Sequence, residues 1–316
     1  FKPDGTVTGH WCREQATGRE PILPMKAEPV AEPDPSRRFA LLAEEGDADP
    51  SADVAGTWRM EFDRYGIAKG VFQEQAPGVL TGTIEVPSEY GDLRFLAGNV
   101  RGARLQLSTF DGQHAFLLEG ELQTDGVMEG AWVNHLVRAP FVARRDDDFE
   151  VPDPLERVAF VPDEQRLELE PLHDSIFDGK PVIVEIFGTW CPNCNDHAPV
   201  LVDLHRKYRS EGLEILGLAY EYGEDLEYKQ RRVREFKKKH GIEWEIVITD
   251  ATLEDLASEG LAGLSPIEGV PVTIFLNRDR TVHAVYSGFS GPATGEAHSK
   301  AKAELEKLTA EILEGL

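Results

Sequence analysis

Residues 182–204 read VIVEIFGTWCPNCNDHAPVLVDL, and this stretch decides the fold. An apolar, β-rich run from Val182 to Phe187 leads directly into Cys191 and Cys194, and apolar positions at helical spacing follow them. The pattern predicts a strand, a short turn and a helix. It places Cys191 at the start of the helix, where unpaired N–H groups and the helix dipole favour a thiolate over a thiol.

Pro192 and Asn193 separate the two cysteines, so the sulfurs lie about one helical turn apart and within reach of a disulfide bond. Pro192 suits an early helical position because the N–H that it lacks would be unpaired there. We expect Cys191 to attack a partner disulfide and form a mixed disulfide, which Cys194 then resolves. In reverse, the same pair oxidises a dithiol.

Strands alternate with helices after this point, which predicts a sheet with parallel members and helices on its faces. The further β-rich runs are Leu213–Ala219, Glu243–Thr249 and Val272–Asn277. The apolar stripe that predicts a C-terminal helix consists of Ala301, Leu305, Leu308 and Ile312.

A charged helix is predicted for Asp225–His240, with Leu226, Val233 and Phe236 facing inward. Its basic run, Lys237–Lys239, is interpreted as a solvated face whose charge stabilises the last turn.

The segment from Val151 to Leu316 resembles the TlpA-like group of thioredoxin-fold proteins, which shares its superfamily with the peroxiredoxins. Two phrases carry the resemblance, WCPNC between a strand and a helix and GVPVTIF at residues 269–275. The second phrase is similar to the family's cis-proline strand. The resemblance implies that Pro271 is cis and lies against the cysteine pair, with the backbone of Val270 free to bind an extended substrate. An ordinary edge-strand proline is the alternative.

The resemblance also implies supporting roles for Glu185 and Trp190. Glu185 lies six residues before Cys191, where thioredoxins carry a buried acid that takes the proton of the second cysteine, here Cys194. The alternative is an acid on an edge strand that faces solvent. Trp190 is expected to cover the surface of the site or simply to pack.

Residues 218–244 exceed a minimal thioredoxin in length and resemble the central insertion of TlpA-like proteins. Within this insertion, Glu221 follows a predicted strand and is a possible acid near the dithiol. Residues 288–295, GFSGPATG, correspond to a loop at the rim of the site, although a turn before a helix also explains them.

Residues 56–149 form a separate unit in this interpretation, an all-β sandwich or small barrel, and residues 150–316 form the α/β thioredoxin unit. Apolar positions alternate, as in Trp58, Met60 and Phe62, then Leu105 and Leu107, then Val127 and Trp132. Asp111-Gly112 and Asp125-Gly126 are hairpin dipeptides. His114 and His135 are interpreted as structural.

The phrases GTI at residues 82–84, LRFLAG at residues 93–98 and FDGQHAFL at residues 110–117 resemble the β-rich module that precedes the thioredoxin domain in some bacterial TlpA-like proteins. That resemblance implies a docking or spacer role.

The N-terminus repeats a phrase of the β-unit. DGTVTGHW near the start echoes DGVMEGAW at residues 125–132, so residues 1–30 are interpreted as strands of a preceding, truncated β-unit. Residues 31–55, acidic and rich in proline, are interpreted as a linker. Three cysteines are too few for a disulfide framework, and two of them, Cys191 and Cys194, lie three apart. Cys12 is then the one cysteine left without a partner in this interpretation.

The composition excludes some classes of function. Acidic residues outnumber basic ones 57 to 33, and the formal charge of −24 repels phosphate backbones and anionic bilayers. Nucleic acid is therefore an improbable partner. No apolar run approaches the roughly 20 residues that span a bilayer, so the chain is not expected to insert into a membrane. It opens with Phe1 and shows no leader, so a targeting segment is expected to be processed off or missing.

A thiol peroxidase is one alternative, because peroxiredoxins share the fold. They require Thr or Ser three residues and Pro seven residues before the reactive cysteine, where this chain has Gly188 and Val184.

A metal-binding module is an alternative of another class. Cys191, Cys194 and His197 have the spacing of ligands for zinc or copper, but a fourth ligand is missing nearby. A purely structural disulfide is a third alternative, and so short a loop would stabilise the fold little.

The resemblance therefore implies an enzyme, a thiol-disulfide oxidoreductase that needs no cofactor and no metal. Its implied partners are protein thiols or disulfides and an upstream electron donor, and reduction of exported proteins is the expected direction. The implied location is the periplasm or another extracytoplasmic space, with tethering through a missing N-terminal segment as one form.

Overall fold

The computed structural model describes residues 7–11, 23–27, 52–89, 91–110, 115–134, 137–153, 155, 166–223, 225–259, 261, 264 and 266–315. The predictions that lie outside these residues concern Cys12, His114, His135, the Asp111-Gly112 turn and most of the linker.

A two-stranded antiparallel sheet lies near the N-terminus. Its strands are β1 (Val7–Trp11) and β2 (Leu23–Ala27). Val7 pairs with Ala27 and Trp11 with Leu23, so the repeated phrase forms a hairpin-like pair of strands, as its echo in the larger β-unit does.

A larger antiparallel sheet follows, called here the barrel unit. Its strands are β3 (Gly56–Phe62), β4 (Gly66–Ala76), β5 (Val79–Val86), β6 (Gly91–Asp92), β7 (Leu96–Arg101), β8 (Arg104–Phe110), β9 (Ala115–Leu122), β10 (Val127–Val133) and β11 (Arg138–Arg145). Among the described residues, eight of these strands form a closed ring, because β4 pairs with both β3 and β5. The short β6 adds to β5 outside the ring. Closure removes free sheet edges, so of the two architectures predicted the chain adopts the barrel.

Alternation along the strands fills the barrel. Trp58, Met60 and Phe62 of β3 are buried, and the residues between them are not. Leu105, Leu107 and Trp132 are buried as well, as their alternation predicts. Gly126 has φ +81° in the turn between β9 and β10, which is the positive φ that the Asp125-Gly126 dipeptide predicts.

The C-terminal part, called here the α/β unit, is a five-stranded sheet with helices. Its elements are β12 (Val182–Phe187), α1 (Pro192–Tyr208), β13 (Glu214–Ala219), α2 (Leu226–His240), β14 (Glu245–Ile248), α3 (Leu253–Glu259), β15 (Val272–Leu276), β16 (Val282–Ser287) and α4 (Glu296–Glu314). The strand order is β14-β13-β12-β15-β16.

Strand β12 is the centre of that sheet. It pairs in parallel with β13 and antiparallel with β15, and all six of its residues are buried. A strand buried on both faces reads as a continuous apolar run, which is why the sequence marks it so clearly. The arrangement of a βαβ unit followed by an antiparallel pair and a helix is the thioredoxin fold, and α2, β14 and α3 lie between the two halves.

The helix predictions differ in outcome. The stripe Ala301, Leu305, Leu308 and Ile312 of α4 is buried, as predicted. In α2, Val233 and Phe236 are buried, but the prediction for Leu226 is wrong, since it is 56 % exposed. Helical spacing puts Leu226 on the inner face, yet as the first residue of α2 it lies at the end of the helix, where its side chain is exposed. None of the helices among the described residues has the length and apolarity to cross a membrane.

Candidate active site

The turn between β12 and α1 presents the two cysteines. Cys191 is the N-cap of α1, and its sulfur accepts a hydrogen bond from the backbone N–H of Cys194, 3.2 Å away. Pro192 occupies the first helical position, as predicted from its missing N–H. Both cysteines are free thiols in this structure. An N-cap sulfur that faces a backbone N–H is well placed to carry negative charge.

The two sulfurs have different surroundings. Cys194 is completely buried, whereas Cys191 retains a little exposure. Burial raises the pKa of the Cys194 thiol well above its ordinary value, and the hydrogen bond and charge of Cys191 and the charge of Glu185 raise it further. Of the two cysteines, only Cys191 retains exposure, and the raised pKa of Cys194 favours its neutral thiol form.

A loop before β15 lies against the first cysteine. The peptide bond between Val270 and Pro271 is cis, the geometry that the resemblance implies. The Cys191 sulfur lies 3.5 Å from the carbonyl oxygen of Val270. The backbone of Pro271 is held in turn, because its carbonyl accepts from the N–H of Gly288 at 2.7 Å. The structure thus brings together Cys191, Val270 and Pro271.

Beneath the turn, the acid of β12 meets a histidine of α1. Glu185 and His197 are both 0 % exposed, and Oε1 of Glu185 lies 3.4 Å from Nδ1 of His197. The other ring nitrogen, Nε2, lies 3.4 Å from the hydroxyl of Thr273, and the ring packs on Phe289 of the rim loop. Neither oxygen of Glu185 has a hydrogen-bond partner within the described residues. The alternative that Glu185 faces solvent on an edge strand is wrong, because β12 is central.

Trp190 lies beside the cysteines, half-buried. Its indole N–H donates to the carbonyl of Tyr220 at 2.8 Å, and its ring packs on Tyr222 with the ring centres 4.5 Å apart. A side chain at Gly188 would place its Cβ 2.3 Å from the indole nitrogen, so the close approach of this tryptophan requires glycine there.

Glu221 lies close to the cysteine turn. Its carboxylate accepts from the N–H of Thr189 at 2.7 Å and from the hydroxyl of the same residue at 2.8 Å. Burial raises the pKa of Glu221, and the bonds from Thr189 oppose that shift. Glu221 is therefore hydrogen-bonded to Thr189, the residue before Trp190 in the chain.

Sequence reasoning missed several polar residues around the turn. The amide of Asn195 donates to the carbonyls of Thr189 and Cys191, and its oxygen accepts from Nζ of Lys239 at 2.7 Å. From its spacing, His197 is predicted only as a metal ligand. The signal in the sequence was a run of three polar residues, Asn195 to His197, between Cys194 and the apolar positions of the helix.

The metal alternative receives no support from the geometry. In the parts of the chain that the structure describes, no three side chains of His, Cys, Asp or Glu are grouped so as to hold a metal ion. The ring of His197, the third ligand of that hypothesis, is directed at Glu185 and Thr273 instead.

Comparison with known proteins agrees with the fold. Residues 148–290 match the model of the AhpC/TSA family. Thiol-disulfide oxidoreductase ResA of Bacillus subtilis is 29 % identical over 125 residues, which are 39 % of this chain and 59 % of that protein. The protein of the same name from Halalkalibacterium halodurans is 27 % identical over 122 residues, 39 % of this chain and 62 % of that protein. The chain thus spans about three fifths of the length of these relatives.

Among solved structures, a putative thiol:disulfide interchange protein DsbE from Chlorobium tepidum is 19 % identical, with a TM-score of 0.34; the match covers 50 % of this chain and 99 % of that one. The match to the AhpC/TSA model, the similarity to ResA and the strand order around a helix that begins with two cysteines all concern the α/β unit. The α/β unit therefore has the strand order of the thioredoxin fold and is similar to the AhpC/TSA family and to the ResA proteins.

Proposed function

We propose that the protein is a thiol-disulfide oxidoreductase that works through Cys191 and Cys194. One observation carries the proposal: the Cys191 sulfur lies at the start of α1, faces the N–H of Cys194 and lies 3.5 Å from the carbonyl of Val270. A nucleophilic sulfur is there held beside backbone groups that can bind an extended chain. The relatives named thiol-disulfide oxidoreductase support the same activity.

The exchange proceeds in two balanced steps. The Cys191 thiolate attacks one sulfur of a partner disulfide, forming a mixed disulfide and releasing the other sulfur as a thiolate, which takes up a proton. Cys194 then loses its proton and attacks Cys191, so that the partner leaves as a dithiol and the pair becomes a disulfide. Two electrons pass from the protein to the partner.

The second step needs a base because the Cys194 thiol is buried and its pKa is raised. Glu185 is the proposed base. It lies below the turn, is completely buried and has oxygens without a hydrogen-bond partner in the described part of the chain. A positioned carboxylate that accepts the proton directly or through one water accelerates such a step about 10²-fold or more.

The remaining site residues are proposed to shape the surface that the partner meets. Val270 supplies backbone groups beside the sulfur, Pro271 holds them there, and Trp190 forms the opposite wall. Pro192 and Asn193 set the spacing of the cysteines. Glu221 orders the loop before Trp190 through Thr189.

By resemblance to TlpA-like proteins, we propose reduction of exported proteins in an extracytoplasmic space, with an upstream donor that regenerates the dithiol. The division into a barrel unit, residues 56–149, and a thioredoxin unit, residues 150–316, is part of the same proposal. The peroxidase alternative is not favoured, because Gly188 and Val184 occupy the positions where peroxiredoxins hold peroxide.

Equilibration with defined mixtures of reduced and oxidised glutathione tests the proposal, together with an insulin-reduction assay. We expect Cys191 and Cys194 to titrate as one two-electron couple, with a potential nearer to thioredoxin's, roughly −270 mV, than to that of strong periplasmic oxidants, roughly −120 mV. Cys191→Ser should abolish insulin reduction, and the matched variant Cys12→Ser should retain it. Insulin reduction that survives Cys191→Ser would refute the proposal.

A further inference from the structure

A short segment of the barrel unit, Gly91 to Arg94, contacts the rim of the cysteine site and is called here the contact segment. Gly91 forms an isolated parallel β-bridge with Phe289 of the rim loop. The carboxylate of Asp92 accepts from the backbone N–H of Gly291 at 2.6 Å. The contact segment therefore binds the rim loop. Phe289 of this loop packs on His197, which belongs to the helix that begins at the cysteine pair.

Arg94 extends from the contact segment to the cysteine helix itself. Its guanidinium forms an ion pair with Asp196 at 2.9 Å and donates a hydrogen bond to the carbonyl of Pro192, the residue after Cys191. Its backbone has φ +54°, which is uncommon for a residue other than glycine, and its N–H is bound by the Asp92 carboxylate at 3.0 Å. The backbone conformation that aims Arg94 is thus held by its own neighbour.

The contact segment and the rim loop approach each other too closely for larger residues at two glycine positions. A Cβ at Gly91 would lie 2.1 Å from the side-chain nitrogen of Asn193, the second residue between the cysteines. On the other side, a Cβ at Gly291 would lie 2.7 Å from a carboxylate oxygen of Asp92. Both glycines permit an approach that any other side chain would prevent.

We propose that Arg94 is a positioning residue of the dithiol site, supplied by the barrel unit, and that it sets the balance between the dithiol and the disulfide. The carbonyl that it binds belongs to the Pro192–Asn193 peptide, within the turn that joins the two sulfurs. A cation at this carbonyl, on the residue that follows Cys191, raises the positive potential near the sulfur and so favours negative charge on Cys191. Arg94 therefore stabilises the thiolate and, with it, the reduced protein.

Asp196 acts in the opposite direction. Its carboxylate neutralises Arg94, and burial raises the pKa of Asp196 while the guanidinium opposes that shift. Loss of Arg94 leaves an uncompensated anion near the thiolate, whereas loss of the Asp196 charge leaves an uncompensated cation. The two changes move the redox equilibrium in opposite directions, which a purely structural role would not do.

This inference rests on the proposed exchange activity, and the test separates the two. The equilibrium constant for the reaction of the dithiol with oxidised glutathione, giving the disulfide and two reduced glutathiones, is measured at pH 8.5, where thiolates are well populated. We expect Arg94→Met to shift this constant about tenfold toward the disulfide, equivalent to about 30 mV for two electrons. Asp196→Asn should shift it toward the dithiol, and Arg94→Lys should restore part of the wild-type value because it keeps the charge but loses the planar fork.

Arg138→Met is the matched control, because Arg138 pairs with Glu119 on the exposed surface of the same barrel, and its constant should stay within twofold of the wild type. Circular dichroism checks that each variant is folded, and if Arg94→Met is not, Arg94→Lys and Asp196→Asn decide. If the wild type exchanges with glutathione but Arg94 and Asp196 variants stay within twofold or shift in the same direction, the role of Arg94 is wrong and the proposed function stands. If the wild-type pair does not exchange at all, both fall.

Discussion

Two acid–base pairs flank the cysteine turn, and they involve adjacent residues of α1. His197 pairs with Glu185 inside the α/β unit, where both side chains are 0 % exposed. Asp196 pairs with Arg94 across the two units, where the side chains are 19 % and 21 % exposed. One pair lies under the dithiol and the other lies beside it.

The difference in burial indicates different roles. The inner acid is fully buried, and removing the side chain beside it leaves a polar group in an apolar interior. A partly exposed pair is screened by solvent and contributes little to stability, but it fixes geometry and charge where it lies. The inner pair therefore fits the proposed transfer of a proton, and the outer pair fits the proposed adjustment of the redox equilibrium.

Breaking the inner pair should have the largest effect. His197→Leu removes the imidazole that lies 3.4 Å from Glu185 and puts an apolar side chain beside the buried carboxyl, so we expect the free energy of unfolding to fall by about 3 kcal/mol. Asp196→Asn, which removes the charge of the acid in the outer pair, should lower it by less than about 1 kcal/mol. Urea unfolding measures both. Equal losses in the two variants would show that burial does not separate the pairs.

Glu185→Gln should slow the release of the partner. The variant keeps the shape of the side chain but cannot accept the proton of Cys194, so decay of the mixed disulfide should become about 10²-fold slower at pH 7. Rapid-quench trapping followed by mass spectrometry measures this rate. Glu306→Gln, a change in a surface acid paired with Lys207, is the control and should leave the rate unchanged. Unaltered decay in Glu185→Gln would remove the carboxylate from the mechanism.

Asp92→Asn tests the contact between the two units. The Asp92 carboxylate is buried and accepts from Gly291, Thr83 and the N–H of Arg94. An amide presents donors where an acceptor is needed, so we expect a loss of about 2 kcal/mol in the free energy of unfolding. Burial raises the pKa of Asp92, which favours the neutral carboxyl group. The loss of stability is expected in either form, because all three donors point at the carboxyl oxygen atoms of Asp92. A variant as stable as the wild type would show that the contact segment is not held in this way.

The pH dependence of the reduced protein should show a smaller effect. The pKa of Cys194 is raised in the folded state, so above about pH 8.5 the unfolded chain loses a proton that the folded chain retains. Stability is therefore complete below that pH and falls as pH rises, by at most about 1.4 kcal/mol per pH unit from this group. Urea unfolding at pH 8 and pH 9.5 should show the fall in the wild type and a smaller one in Cys194→Ala. Parallel curves would contradict the burial of this thiol.

The core of the site was predictable because its determinants are local. A β-rich run, two cysteines three apart and an apolar helix predict the turn, and Glu185 is marked as an acid inside that run. The barrel was predictable as all-β from alternation, but its closure depends on the pairing of β4 with β5, which alternation alone does not specify.

What the sequence did not predict depends on partners that are distant in the chain. Leu226 has the spacing of an inner residue, but burial requires a neighbouring element at that level of the helix. Arg94 lies 98 residues before Pro192 and resembles any surface arginine until the two units are placed together. His197 has the spacing of a metal ligand, and only the position of β12 shows that it faces Glu185.

The central claim is that Cys191 is the sulfur that forms the bond with the partner. Cys194→Ser should trap a mixed disulfide when the protein is mixed with a disulfide-containing peptide, and mass spectrometry after proteolysis should place the peptide on Cys191. Cys191→Ser should form no such adduct at a comparable rate, although Cys194 is present, because that thiol is completely buried. An adduct on Cys194 that forms as fast as the one on Cys191, or the absence of any adduct on Cys191, would contradict the account.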